Sequence, residues 1–335
     1  MSLSSSVIAR RQGRVGRITL NRPQALNALD PDMLAALTET LDAWRDEPEV
    51  HAVIVEGAGG RAYCAGGDVR ALRDAALRGE HAAVERFFAA EYALNLAIAT
   101  YPKPYVALVD GICMGGGIGI SVHGTYRAAS EAALFAMPET AIGLFPDIGA
   151  SYVLPRLRGA VGLWMALTGA RLGGADAAWA GLATHLVPRE RMAGLADEIA
   201  EHGVAALAPA AEPPEAALLP SQIEAIDRCF GAPGVAAILE RLGDEGTAWA
   251  REQEAAIRRL SPSSTLWTFE LLRQGARRTL PECLDAELAL MLRATRLPDF
   301  AEGVRAMVVD KDRAPRWSPA RIEDVDPAAV AALFA

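Results

Sequence analysis

Short apolar segments alternate with helical patterns along the first 190 residues. Residues 17–21 (RITLN), 52–56 (AVIVE) and 105–109 (YVALV) carry strand patterns. A helix is predicted to begin after Asp30, because Asp30 is a favourable N-cap, Pro31 suits the first turn, and apolar residues recur at helical spacing from Met33 to Trp44. Strands that alternate with helices predict an α/β fold.

The strand signals fade from about residue 189 onwards. Residues 208–220 are rich in proline and alanine, which predicts a linker or an irregular crossing. Amphipathic helices are predicted beyond it, at about residues 261–275, with Ser261 before Pro262, and at about residues 281–293. We therefore expect a core at residues 1–207 and a helical C-terminal region at residues 208–335.

Composition limits the partners that the chain can bind. Its 335 residues are 51% hydrophobic and 22% charged, which is enough to bury a large core. The net charge of -9 is spread along the chain and argues against nucleic-acid or anionic-membrane binding. The two lysines, Lys103 and Lys311, do not follow glycine, so a Walker A loop is excluded.

The cysteines and the N-terminal segment predict the compartment. Cys64, Cys113, Cys229 and Cys283 are far apart and form no Cys-x-x-Cys pair, and the histidines form no His-Glu-x-x-His motif. We therefore expect no metal site and a reducing environment. The polar N-terminus resembles no signal peptide, and no apolar run has the length of a membrane span, so we expect a cytoplasmic protein.

Two glycine-rich segments carry the candidate chemistry. They are GAGGRAYCAGG at residues 57–67 and MGGGIG at residues 114–119, and neither completes the dinucleotide-binding pattern Gly-x-Gly-x-x-Gly. Each can present backbone N–H groups to a ligand, as an oxyanion hole does, or serve only turns and close packing. A serine-hydrolase elbow at Ser121 fails at its last position, His123, so Ser121 is not favoured as a nucleophile.

Four longer segments carry a family pattern. They are ITLNRPQALNAL at residues 18–29, AYCAGGD at 62–68, PKPYVALVDGICMGGGIG at 102–119 and FAMPETAIGLFPDIG at 135–149. The chain resembles the enoyl-CoA hydratase/isomerase (crotonase) superfamily over about residues 17–187. The resemblance implies a spiral of ββα units with a helical C-terminal region and a thioester site. It also implies that the amides of Gly67 and Gly116 form the oxyanion hole and that Gly66 contacts the substrate.

The carboxylates indicate a branch of this superfamily. The resemblance implies that hydratases of this superfamily share two glutamates. In this chain Gly119 stands at the position of the first glutamate, and Glu139 matches the second. Asp147 stands where hydratases have a small residue. Together with LPRL at residues 154–157 and EGVRAMVVDKD at 302–312, these features resemble the 3-hydroxyisobutyryl-CoA hydrolases over nearly the whole chain.

This branch implies hydrolysis of a short 3-hydroxyacyl-CoA thioester in valine breakdown. Glu139 would attack the thioester or activate water, and the sequence leaves both routes open. Asp147 would hold water or the 3-hydroxyl of the substrate, and Glu91 matches a substrate-contacting glutamate. Lys311 and Arg22 are candidates for binding the CoA phosphates.

Local chemistry offers simpler interpretations of the same residues. Glu139 follows a proline as an exposed helix-start acid would, Asp147 follows a proline as a turn residue would, and Glu91 could face solvent on a helix. Lys311 lies between two aspartates, as solvated surface lysines often do.

Two other functions are left open. One is an enoyl-CoA hydratase or isomerase, and the other is a non-catalytic acyl-CoA-binding protein. For all three functions we expect an acyl-CoA partner and no separate cofactor, since coenzyme A is part of the substrate. A homo-oligomer is also left open.

Overall fold

The computed structural model describes residues 6–334, which form two compact units interleaved along the chain. Of these residues, the first unit contains 6–67, 90–135 and 172–219, and the second contains 68–89, 136–171 and 220–334. The two regions expected from the sequence, 1–207 and 208–335, are continuous segments, and that division stays a prediction.

Ten strands lie in the described residues and form two sheets. The six-stranded sheet has the order β1-β2-β3-β5-β7-β10, and the four-stranded sheet has the order β4-β6-β8-β9. The strands are β1 Val7–Gln12, β2 Val15–Leu20, β3 Ala52–Gly57, β4 Ala62–Cys64, β5 Tyr105–Val109, β6 Ile112–Met114, β7 Tyr126–Ala129, β8 Leu134–Ala136, β9 Leu172–Gly173 and β10 His185–Leu186.

The six-stranded sheet is parallel apart from its first pair. β1 pairs with β2 in antiparallel register, and every later neighbour pairs in parallel. The three strands predicted from apolar segments are confirmed as β2, β3 and β5, and β5 is buried along its whole length, as expected for a central parallel strand.

Sixteen α-helices lie in the described residues. They are α1 Pro31–Arg45, α2 Val69–Leu77, α3 His81–Ala99, α4 Gly116–Val122, α5 Ala150–Val153, α6 Val161–Thr168, α7 Gly174–Ala180, α8 Arg189–His202, α9 Leu207–Ala210, α10 Ile223–Phe230, α11 Val235–Glu245, α12 Ala248–Arg259, α13 Pro262–Gly275, α14 Leu280–Ala294, α15 Pro298–Val304 and α16 Pro327–Leu333.

Capping residues place two of these helices where the sequence predicts them. The Asp30 carboxylate accepts a hydrogen bond from the Met33 N–H at 2.8 Å and begins α1. The Ser261 hydroxyl accepts one from the Ser264 N–H at 3.2 Å and begins α13. Both helices therefore follow from local chemistry.

One buried cluster of the first unit lies on one face of the six-stranded sheet. Ile54 of β3 and Val106 of β5 pack in one buried cluster with Leu195 and Ile199 of α8. The apolar face of α8 is thereby removed from water, which is the main source of stability for such a layer.

The second unit is built from helices. Its central helix, α13, packs against α5, α6, α14 and α16, and buries Trp267 and Leu271. The expected helical C-terminal third is confirmed, because no strand follows residue 186 in the part of the chain that the structure describes. Within that same part, no helix is both long and apolar enough to cross a membrane.

Candidate active site

The first glycine loop of the first unit lies between β4 and α2. Gly66 has φ +108°, a conformation that side chains disfavour. Its carbonyl accepts a hydrogen bond from the Leu29 N–H at 2.8 Å, which ties this loop to the residue just before the N-cap of α1. Asp68 caps α2 by accepting from the Ala71 N–H at 3.3 Å, so its carboxylate stabilises the end of this loop.

The second glycine loop begins α4 and lies against the first. A Cβ at Gly66 would lie 3.7 Å from the Gly116 nitrogen. A Cβ at Gly116 itself would lie 2.2 Å from Glu91 Oε1, a distance that atoms do not tolerate. The absence of a side chain at Gly116 therefore lets the Glu91 carboxylate lie directly against this loop. Gly66, Gly116 and Glu91, three predicted site residues, come together in the first unit.

Glu91 is buried and not a solvent-facing helix residue. It is 3% exposed on α3, so the alternative interpretation of this residue is wrong. Asn95 lies one turn later on the same helix face and is fully buried, and among the described residues no hydrogen-bond partner reaches either of its side-chain polar atoms. Asn95 is not among the residues predicted for the site, although two polar residues four apart in an apolar helix were a signal for it.

The other nucleophiles of the first unit have structural roles. Ser121 is buried in α4 and its hydroxyl donates to the Ile118 carbonyl at 2.9 Å, so it is held as a packed helix residue. Burial raises the pKa of the Cys64 thiol to about 12 and raises that of Cys113 further. Neither thiol is a thiolate at neutral pH.

Glu139 begins a 3₁₀ turn in the second unit, immediately after Pro138 and β8. It is 7% exposed, which contradicts its interpretation as an exposed acid. The turn closes through the Leu144 N–H, which donates to the Glu139 carbonyl at 3.0 Å. Its neighbour Thr140 is held by the Ser261 N–H, which donates to the Thr140 carbonyl at 3.2 Å. The start of α13 therefore supports the turn that carries Glu139.

Asp147 lies on the next loop of the second unit, eight residues later. It does form a turn, because its carbonyl accepts from the Ala150 N–H at 2.9 Å, but its side chain is only 5% exposed. A carboxylate is rarely buried without a specific function or partner. The second unit thus holds two buried acids, Glu139 and Asp147, on consecutive loops.

A third buried acid, Glu287, lies under the Asp147 loop and was missed by the sequence analysis. Its Oε2 accepts from the Gly149 N–H at 2.6 Å, and its Oε1 accepts from the Ser151 N–H at 2.9 Å and the Ser151 hydroxyl at 2.5 Å. Burial raises the pKa of Glu287 to about 8, the hydrogen bonds oppose this, and the charge of Asp147 adds to it. Its signal in the sequence was a glutamate on the apolar face of α14, between Leu284 and Leu290.

The two candidates for CoA phosphates have different surroundings. The Arg22 guanidinium is half-buried, lies 3.0 Å from the Asp30 carboxylate and donates to the Ala28 carbonyl at 2.7 Å, so it braces the start of α1. Lys311 is exposed, and both flanking aspartates contact Arg305 instead, at 2.7 and 2.6 Å. Phosphate binding by either residue stays a prediction.

Comparison with known proteins decides the family. The chain matches the enoyl-CoA hydratase/isomerase family over residues 15–334. This chain belongs to the enoyl-CoA hydratase/isomerase family. The family assignment expected from the four glycine and proline motifs is therefore confirmed, and the match extends through the helical C-terminal region.

Curated relatives of this family member carry a hydrolase name. The 3-hydroxyisobutyryl-CoA hydrolase of Xenopus tropicalis is 45% identical over 93% of this chain and 84% of its own length. The enzyme of the same name from Rattus norvegicus is 43% identical over 96% of this chain and 86% of its own length.

Solved structures of the family have the same fold. A structure described as a carnitinyl-CoA dehydratase from Mycobacterium thermoresistibile superimposes with a TM-score of 0.95, at 40% identity over 99% of this chain and 97% of that one. Another, described as an enoyl-CoA hydratase from Rhodobacter sphaeroides, gives 0.92 at 41% identity and the same coverage. The expected crotonase-type α/β fold with a helical C-terminal region is thereby confirmed.

The expected cytoplasmic location is wrong. The Xenopus, rat and human relatives are all described as mitochondrial. The physical reason for the error is that unpaired cysteines indicate a reducing environment and do not distinguish one reducing compartment from another.

Proposed function

We propose that this family member hydrolyses short 3-hydroxyacyl-CoA thioesters, with 3-hydroxyisobutyryl-CoA as its substrate, in valine breakdown. The observation that carries the proposal is the pair of buried acids, Glu139 and Asp147, in a chain that is 45% identical to a hydrolase of that name. The products are 3-hydroxyisobutyrate and free CoA.

The amides of Gly67 and Gly116 stabilise the thioester oxygen in this reaction. Negative charge develops on that oxygen when the carbonyl carbon is attacked, and two backbone N–H donors are the usual means of holding it. The backbone around these two amides supports the role. Gly66, directly before Gly67, adopts φ +108°, and Gly116 has no room for a side chain.

Glu139 drives the attack by one of two routes. In the first, its carboxylate attacks the carbonyl carbon, the C–S bond breaks, the CoA thiolate leaves and takes up a proton, and water then cleaves the mixed anhydride. In the second, Glu139 takes a proton from a water that attacks the same carbon directly. Both consume one water and yield the acid and the thiol.

Asp147 and Glu91 fix the rest of the acyl group. Asp147 accepts a hydrogen bond from the 3-hydroxyl of the substrate or from the attacking water. The buried Glu91 carboxylate, packed against Gly116, keeps the acyl end of the thioester beside the oxyanion donors. The reaction needs no separate cofactor, because coenzyme A is the leaving group.

Coenzyme A itself needs cationic contacts for its phosphates. Lys311 supplies an exposed ammonium. The carboxylates of the flanking Asp310 and Asp312 form ion pairs with Arg305. Arg22 is the weaker candidate, because Asp30 already neutralises it. A homo-oligomer stays a prediction.

Hydration is the second candidate function, favoured by the names of the two solved structures at 40% and 41% identity. Two-carboxylate hydration needs one acid for water and another for the α-proton. Gly119, buried in α4, stands where the first of these acids is expected, so the chain lacks it.

Two substrates separate these functions. Purified protein is given 3-hydroxyisobutyryl-CoA, with free thiol measured, and crotonyl-CoA, with loss of the enoyl absorbance measured. Fast thiol release with little hydration supports the proposal. Hydration without thiol release refutes it, and binding of both thioesters without turnover identifies a non-catalytic acyl-CoA-binding protein.

A further inference from the structure

Glu287 is a fully buried acid that the proposed reaction does not use. It lies in the middle of α14, and it reaches residues 136 and 138 positions earlier in the chain. Both of its oxygens accept hydrogen bonds from the segment that directly follows Asp147, through Gly149 and Ser151. One side chain thus binds both backbone amides at the end of the Asp147 turn.

The Asp147 turn needs such support because its backbone is unfavourable. Ile148 has φ +58°, which is strongly disfavoured for a β-branched residue, and Gly149 follows with φ +81°. Residues in this region persist only when the surrounding structure holds them. Here α13 also contributes, since a Cβ at Gly275 would lie 2.2 Å from the Ser151 carbonyl oxygen.

We propose that Glu287 is a positioning residue that fixes the turn from Asp147 to Ser151 and so holds the Asp147 side chain where the reaction needs it. The proposal rests on the proposed function for the role of Asp147. Without the Glu287 oxygens, the two buried amides lose their acceptors and the turn relaxes toward a less strained backbone.

The first test compares two Glu→Gln variants of α14. Glu287→Gln replaces an acceptor oxygen by an NH₂ group that faces N–H donors. Glu282→Gln is the matched control, because Glu282 is an exposed capping residue that accepts from Thr279 on the same helix. We expect Glu287→Gln to lower kcat for thiol release by about 10²-fold, the cost of a misplacement of about 1 Å, and the control to stay within about threefold of wild type.

A second comparison separates positioning from a general loss of structure. In an Asp147→Asn background the catalytic carboxylate is already absent, so its misplacement can no longer lower the rate. The further effect of Glu287→Gln on kcat is therefore expected to fall below about threefold. Equal losses in the two backgrounds overturn the positioning role. If Glu287→Gln does not fold, Ser151→Ala removes one of the three donors, and about a tenfold loss that disappears in the Asp147→Asn background is expected.

Hydrogen exchange tests the proposal independently of hydrolysis. The amides of Gly149 and Ser151 are expected to exchange faster in Glu287→Gln than in wild type or Glu282→Gln, since they lose a buried acceptor. Unchanged exchange overturns the role of Glu287 even if the wild type is active. Wild-type protein without thiol release refutes the proposed function instead, while the exchange result still decides whether Glu287 holds the turn.

Discussion

The contact between Gly116 and Glu91 gives a quantitative test of the oxyanion loop. In a Gly116→Ala variant the new Cβ would lie 2.2 Å from Glu91 Oε1 and 3.2 Å from Leu29 Cδ1. Carbon and oxygen atoms that are not covalently bonded approach to about 3.3 Å, so the carboxylate must retreat by about 1 Å or the loop must move. Either movement disturbs the groups that we assign to the acyl end of the substrate.

The expected losses of stability and activity in Gly116→Ala depend on which atom is displaced by the new Cβ. Overpacking costs about 1–3 kcal/mol, and the displaced atom here is the end of a flexible side chain, so we expect about 1 kcal/mol of stability to be lost. Catalysis is more sensitive, because a misplacement of about 1 Å can cost on the order of 10²-fold in rate. Gly116→Ala should therefore be a folded protein with about 1% of the wild-type activity.

Urea unfolding and thiol-release kinetics measure the two quantities. Gly173→Ala is the control, since it lies in the same unit at a negative φ, and a Cβ there meets nothing within 4 Å. In a double-mutant cycle, Glu91→Ala should relieve the clash and cost about 1 kcal/mol less in the Gly116→Ala background than alone. A Gly116→Ala variant with unchanged stability and activity would refute the reasoning.

The other predictions concern buried groups. Raising the pH from about 6 to about 8 should destabilise wild type relative to Glu287→Gln by about 1 kcal/mol per pH unit, because burial raises the pKa of Glu287 to about 8, so the folded state keeps a proton that the unfolded state has released. Urea unfolding at each pH measures this, and parallel curves would contradict it. Ser121→Ala should release thiol at a rate within about threefold of wild type, since its hydroxyl serves packing contacts with the Ile118 carbonyl and the Cys113 thiol, whereas complete loss would restore it as a nucleophile. Cys64, whose pKa burial raises to about 12, should resist a thiol reagent in native protein, as peptide mass spectrometry would reveal, and rapid labelling would contradict its burial.

Local signals account for the parts of the fold that the sequence predicts well. Asp30 before Pro31 and Ser261 before Pro262 determine where two helices begin, because a cap satisfies backbone N–H groups only one turn away. The apolar segment Tyr105–Val109 is a strand for a similarly local reason, since five consecutive buried residues suit a central parallel strand.

The rest depends on contacts between distant segments. Glu287 looks like any helix glutamate until Gly149 and Ser151, more than 130 residues earlier in the chain, bring their donors to it. The close approach of Glu91 to Gly116 also arises only when α3 packs on the start of α4. The motifs identified the glycines and acids of the candidate site, and the packed structure shows which of them are buried and what holds their loops.

The most direct test of the account is thiol release from 3-hydroxyisobutyryl-CoA by a Glu139→Gln variant, with Glu282→Gln as a folded control. Glutamine keeps the shape of the side chain and removes both the nucleophile and the base. We expect kcat to fall by about 10³-fold or more, with the control close to wild type. A Glu139→Gln variant that releases thiol at the wild-type rate would contradict the assignment of the reaction to this carboxylate.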